Sequence, residues 1–125
     1  MRTPQLQWSV FTLDREASLQ PGAGDPPPVL VVSRESANES LPVVTVLPLA
    51  DHAPGRRVYP NEALLPRGAA QLRLPAVVMA HQIQTIAKTR LSTPVGSVDE
   101  PDLRSAVNDA LRVQLNLEQF FESGR

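Results

Sequence analysis

Thirteen prolines in 125 residues set the strongest limit on what this chain can become. That is about twice the usual share of ~5%. Each proline fixes one backbone angle and removes one N–H donor, so long helices and wide uninterrupted ladders are disfavoured. The pattern predicts many short elements joined by proline-set turns around one small core. The length suits a single domain, expected over residues 1–119, with 120–125 as a C-terminal tail. Apolar residues make up 42% of the chain, enough for a core but not a large one.

Charge and composition exclude several classes. The net charge is -1 and the pI about 6.1, so any nucleic-acid site must be a local arginine patch, not a global field. Cysteine is absent, which removes disulfide frameworks and thiolate metal sites. Two histidines without a His/Glu cluster argue against structural zinc, and neither a metal nor a cofactor is expected. The opening MRTPQLQWSV lacks the apolar core of a signal peptide. No run approaches 18 apolar residues, so no membrane span is expected and the default location is the cytoplasm.

Along the chain, Leu6 to Leu13 alternates loosely and predicts a first strand anchored by Trp8. Asp14 to Pro28 has loop composition. Val29–Val32 and Val43–Leu49 read as buried strands, with Pro48 marking the end of the second or an edge. Ser33 to Ser40 suits one helical turn. Asp51 to Arg57 is a loop with a Pro54-Gly55 turn, and Val58 to Leu65 a weaker edge strand. Ser92 to Val98 reads as a turn region. A helix follows, started by a Ser97–Glu100 capping box or by Asp99 with Pro101. Its apolar stripe is Leu103, Val107, Ala110, Leu111 and Gln114 or Leu115, with Arg104, Asn108, Asp109, Arg112 and Asn116 on the other side.

Between these lies Ala76 to Leu91, AVVMAHQIQTIAKTRL. Its first five residues are continuously apolar, which suits a strand covered on both faces, with a buried helix segment as the alternative that periodicity leaves open. Gln82, Gln84 and Lys88 then interrupt Ile83, Ile86 and Leu91, as in a strand that turns one face to solvent. Two strands or one strongly bent one are expected, with His81, Gln82, Gln84 and Thr85 on a polar platform.

This segment resembles that of MazF/PemK toxins. Ala80, Gln82, Ile83, Thr85, Ile86, Lys88, Arg90 and Leu91 stand where the family pattern has them, while His81 replaces an acidic residue and Gln84 a basic one. Gln7-Trp8, Pro28 to Ser33, Val44 to Leu49, Val58 to Leu65 and Asp109 to Arg112 resemble further family segments in the same order. The resemblance implies a mainly β fold with α, a small SH3-like barrel of six to seven short strands with a C-terminal helix. It also implies a homodimer, an antitoxin partner and metal-independent cleavage of single-stranded RNA.

Two departures bear on that activity. Where the family carries an arginine before the proline that opens the second strand, this chain has Pro27. Where it carries a threonine or serine after the third strand's Pro-Leu, this chain has Ala50. Attack of a ribose 2′-OH on phosphate needs a group to move protons and a cation to hold the developing charge. Losing one oxyanion donor alone costs on the order of 10²–10³ in rate. His52 and Arg56 have the right chemical types to substitute. Gln82, by analogy with the family, contacts an RNA base, and His81, Thr85, Arg56, Arg57 and Asp51 are further nucleic-acid-binding candidates. Three readings follow: a toxin-fold dimer without ribonuclease activity that keeps antitoxin or nucleic-acid binding, an active ribonuclease with a relocated site, and a regulator that sequesters an antitoxin.

Overall fold

The computed structural model describes residues 5–14 and 24–117. Most of the loop expected over 14–28, and the tail expected over 120–125, lie outside the described residues. Seven strands and two helices follow one another as β1 (Ser9–Leu13), β2 (Val29–Val31), α1 (Glu35–Ser40), β3 (Val43–Asp51), β4 (Glu62–Leu65), β5 (Ala76–Met79), β6 (Gln84–Ala87), β7 (Leu91–Ser97) and α2 (Pro101–Leu115). The fold is mainly β with a C-terminal helix. The strands pair antiparallel in the order β4-β5-β3-β2-β1-β7, with β6 on β3, so the sheet is open, with β4 and β7 at its ends.

β3 organises the sheet. Val43–Val46 pair with β6, Val46–Pro48 with β2, and Leu49–Asp51 with β5. Pro48 is therefore not at a strand end, as its chemistry suggested. Leu49 N donates to Pro28 O across the β2 side. By alternation, the missing Pro48 N–H would point to the opposite side. There, β6 has ended and β5 has not begun, so no ladder bond is lost.

Alternation then sorts the apolar residues into two clusters. Val29, Val31, Val44, Val46 and Ile86 pack on one side of the sheet, joined by Phe11 and Leu13. Val10, Leu30, Leu47, Leu49, Leu65 and Val78 pack on the other, beneath Val107 and Ala110 of α2. Full burial of each such Val or Leu contributes about 1.5–3 kcal/mol before entropy is counted.

Several expectations are corrected. Ser92 to Val98 is not a turn, because β7 pairs with β1 over Leu91–Ser97. As a terminal strand it tolerates Pro94, and its register shifts absorb the irregular residues. Gly96 leaves room for the carbonyl of Ala70, which an added Cβ would overlap. The strand expected over Val58 to Leu65 shortens to β4, because Glu62 N turns back to Tyr59 O at 2.9 Å. No side-chain cap starts α2. Ser97 Oγ donates to Asp99 Oδ1 at 2.8 Å instead, Glu100 occupies the cap position and Pro101 opens the helix. Arg104 faces the body of the protein. Its Nε donates to Val98 O at 2.7 Å and its guanidinium lies 5.3 Å from the Trp8 ring centre. At the far end, Asn116 closes α2 in the left-handed conformation that asparagine tolerates.

Trp8 is partly buried against the larger cluster but has φ of 71°. Two backbone bonds hold it there, Trp8 N to Val31 O and Val98 N to Trp8 O, each 2.8 Å. Ala70 and Gln71 are also left-handed, at 51° and 60°. Each such residue costs roughly 1–2 kcal/mol, so the turn before β5 is a shape kept against a penalty.

Candidate nucleic-acid interface

The site grows from the end of β3. Past Leu49 the strand leaves the packed interior, so Ala50 is half-buried and Asp51 exposed. His52 N donates to Pro75 O at 3.1 Å, which keeps the following loop beside β5. A tight turn then forms over Ala53 to Arg56, closed by Arg56 N to Ala53 O at 3.0 Å, with Gly55 at φ 80°. This is the turn that Pro54-Gly55 predicted.

Beyond that turn the loop is clamped. Arg56 donates from Nη1 to Glu62 Oε1 at 3.1 Å and from Nη2 to Glu62 Oε2 at 2.9 Å. Glu62 Oε1 also accepts from Tyr59 N at 3.0 Å. The Glu62 side chain is only 3% exposed. The Arg56 hydrogen bonds hold its carboxyl below the ordinary carboxylate value against the opposing effect of burial, with help from Tyr59 N–H and from the charges of Arg56 and His81. Arg56 thus already has a carboxylate. His52 Nε2 lies 2.9 Å from Arg56 O, an atom that only accepts, so this nitrogen is the donor in the contact. Arg57 lies over the Tyr59 ring, 5.1 Å from its centre, and Tyr59 is 51% exposed.

Two concavities flank this loop. One, about 230 Å³, has Pro28, Leu49 and Ala76 among its walls, and Ala50, Asp51 and Arg73 at the same hollow. The residue next to Pro28 is Pro27, so Pro27 and Ala50 fall at or beside this hollow; Pro27 itself is exposed. The other, about 500 Å³, is lined by Tyr59, Pro60, Asn61, Glu62, His81 and Val113. Asp51 and His81, both nucleic-acid-binding candidates, therefore belong to different hollows. His81 and Gln82 are exposed on a short 3-10 turn, Ala80–Gln82, between β5 and β6. Thr85 is exposed on β6, opposite Thr45 of β3.

Two participants were not singled out from the sequence. Glu62 carries no local signal of its partnership, because Arg56 approaches it only once the loop folds back. Arg73 sits in a Leu-Arg-Leu-Pro run whose visible features are its exposed Leu74 and the following Pro75. Among the described residues no three His, Asp or Glu side chains are placed to hold a metal ion. None of the described helices is long and apolar enough to cross a membrane.

Known proteins share both the sequence and the architecture. Endoribonuclease MazF9 of Mycobacterium tuberculosis is 29% identical over 113 residues, 86% of this chain and 93% of that protein. A mycobacterial endoribonuclease solved in complex with its cognate antitoxin superposes with a TM-score of 0.73 at 26% identity, over 94% of this chain and all of that one. MazF from Deinococcus radiodurans shares the fold at 21% identity and a TM-score of 0.68, over 94% of this chain and all of its own. The profile of the family described as PemK-like, MazF-like toxin of type II toxin-antitoxin system matches residues 6–115. With nearly the whole chain inside that match, this protein belongs to the PemK-like, MazF-like toxin family.

Proposed function

We propose that this chain binds single-stranded RNA and a cognate antitoxin as a cytoplasmic homodimer, and that it has lost the family's efficient RNA cleavage. One observation carries this reading. Ala50 lines the same hollow as Pro28, beside Pro27, and neither Ala50 nor Pro27 has a group that can move a proton or hold negative charge. His52 and Arg56, the candidate substitutes, are engaged with the loop: His52 Nε2 with Arg56 O, and Arg56 with Glu62. The binding half of the reading draws support from the exposed His81, Gln82, Thr85 and Arg57. An exposed glutamine amide can read a base edge through two hydrogen bonds. The antitoxin is proposed from the mycobacterial relative solved with one.

The test uses purified protein and a mixed pool of single-stranded RNA, followed by gel shift and by end-group analysis for cyclic phosphate. Retained RNA with cleavage at least ~10²-fold slower than an intact relative is expected. Cleavage at a relative's rate, abolished by His52→Ala, overturns the reading in favour of a relocated site.

A further inference from the structure

We infer that Arg73 and Asp51 form a ribonucleotide subsite, in which Arg73 grips a backbone phosphate and Asp51 accepts a hydrogen bond from the sugar hydroxyl. The inference deepens the proposed RNA-binding reading by assigning the ligand class and the residues of its hollow. It starts from the concavity of about 230 Å³ at the end of β3, whose polar side chains are one carboxylate and one guanidinium.

The charges are separate. Asp51 and Arg73 line one hollow, yet no ion pair joins them among the described residues. A paired acid and base would neutralise each other and have little left for a ligand. Held apart over apolar walls, they ask for a ligand with both an anionic oxygen and a hydroxyl or amine donor. A bare phosphate answers only Arg73 and is repelled by Asp51. A ribonucleotide answers both. Arginine's planar fork matches phosphate oxygens, and the poorly hydrated walls of Leu49, Leu72 and Ala76 strengthen the attraction.

Arg73 is also placed on a defined backbone. The turn before it is closed by Gly68 N to Leu72 O and by Leu72 N to Ala69 O, each 2.9 Å. Ala70 and Gln71 stand left-handed within it, and the carbonyl of Ala70 is tucked against Gly96 of β7. Pro75 follows, fastened by the bond from His52 N. Strain of this kind persists where the surroundings enforce one shape, and it gathers at ligand sites. Here it delivers a cation to the hollow beside Pro27, where the family's own arginine is missing.

The experiment titrates the full chain, labelled with ¹⁵N, with the dinucleotide UpU and with its 2′-deoxy counterpart. Saturable shifts of Arg73 Nε–Hε and of the Ala50, Asp51 and Ala76 amides are expected, larger in affinity for the ribose form. Arg73→Ala should weaken both dinucleotides about tenfold. Asp51→Ala should abolish the preference for ribose while leaving the Arg73 response. Both side chains are exposed, so the variants should fold, and unchanged spectra elsewhere check this. Shifts confined to other surfaces, no saturable response, or an Arg73→Ala protein that binds as tightly as the parent overturns the subsite. Cleavage of an RNA pool at a relative's rate would overturn the loss of catalysis and leave a positive Arg73 result standing.

Discussion

Arg56 and Glu62 meet through two parallel hydrogen bonds of 3.1 and 2.9 Å, and this pair ties the loop after β3 to the first residue of β4. The carboxylate is nearly fully buried, while the guanidinium is about one-third exposed. Removing the arginine leaves a buried charge whose remaining bond comes from Tyr59 N. Arg56→Ala is expected to lower stability, by less than the loss of a fully buried pair because solvent reaches the guanidinium. The urea midpoint at pH 7 measures this.

Acid should weaken the protein through two carboxylates. At Glu62 the Arg56 hydrogen bonds lower the folded-state value despite burial. At Glu35 burial acts upward, but Asn38, the N–H groups of Gln7 and Leu6, and the charge of Lys88 together bring it below the ordinary value. A lowered folded value means stability that is present above the unfolded value, about 4.3, and lost as pH falls through the folded one. Stability should therefore drop below about pH 4.5, and the double variant Glu35→Gln, Glu62→Gln should show a flatter decline between about pH 5 and pH 3 in denaturant titrations.

Glu35 has a second, local consequence. Its carboxylate accepts from Leu6 N at 2.9 Å and Gln7 N at 2.9 Å, so α1 holds the chain as it enters β1. Glu35→Ala should cost about 1–2 kcal/mol. Amide exchange at Leu6 and Gln7 should accelerate more than in β3.

Gly96→Ala tests the close approach of β7 to the strained turn. The new Cβ would overlap a backbone carbonyl, Ala70 O, which cannot rotate away like a side chain. A loss of about 2–3 kcal/mol is expected. Because Ala70 lies in the turn that leads to Arg73, dinucleotide affinity should fall as well.

Restoring the family's residues should restore chemistry. The double variant Pro27→Arg, Ala50→Thr adds a cation and a hydroxyl at exposed and half-buried positions. Cleavage of single-stranded RNA should rise by at least ~10²-fold over the parent. Equal rates in parent and variant would separate these positions from the reaction.

The sequence was most informative where one face of an element is buried. The runs Val29–Val31 and Ala76–Met79, and the helix stripe of Val107 and Ala110, could be read because burial writes itself into apolar spacing. It was least informative where a residue's role depends on a distant strand. Pro48 is tolerated inside β3 because it falls in the gap between the pairings of β6 and β5, and Pro94 because β7 is terminal. Arg104 looked solvent-facing on the helix wheel, yet Trp8 and the Val98 carbonyl capture it. At the site the pattern repeats. Pro27 and Ala50 are legible as letters without proton-moving or charged groups, but the arrival of Arg73 from the turn before β5 is a product of tertiary folding.

Leu49 is sealed within the core and Ala50, its immediate neighbour, stands at the rim. Truncating the first to Ala should cost about 2–5 kcal/mol of stability, whereas a change at the second falls on a half-buried side chain lining the hollow. The body of the fold and the chemistry displayed at its edge therefore rest on different, directly adjoining letters.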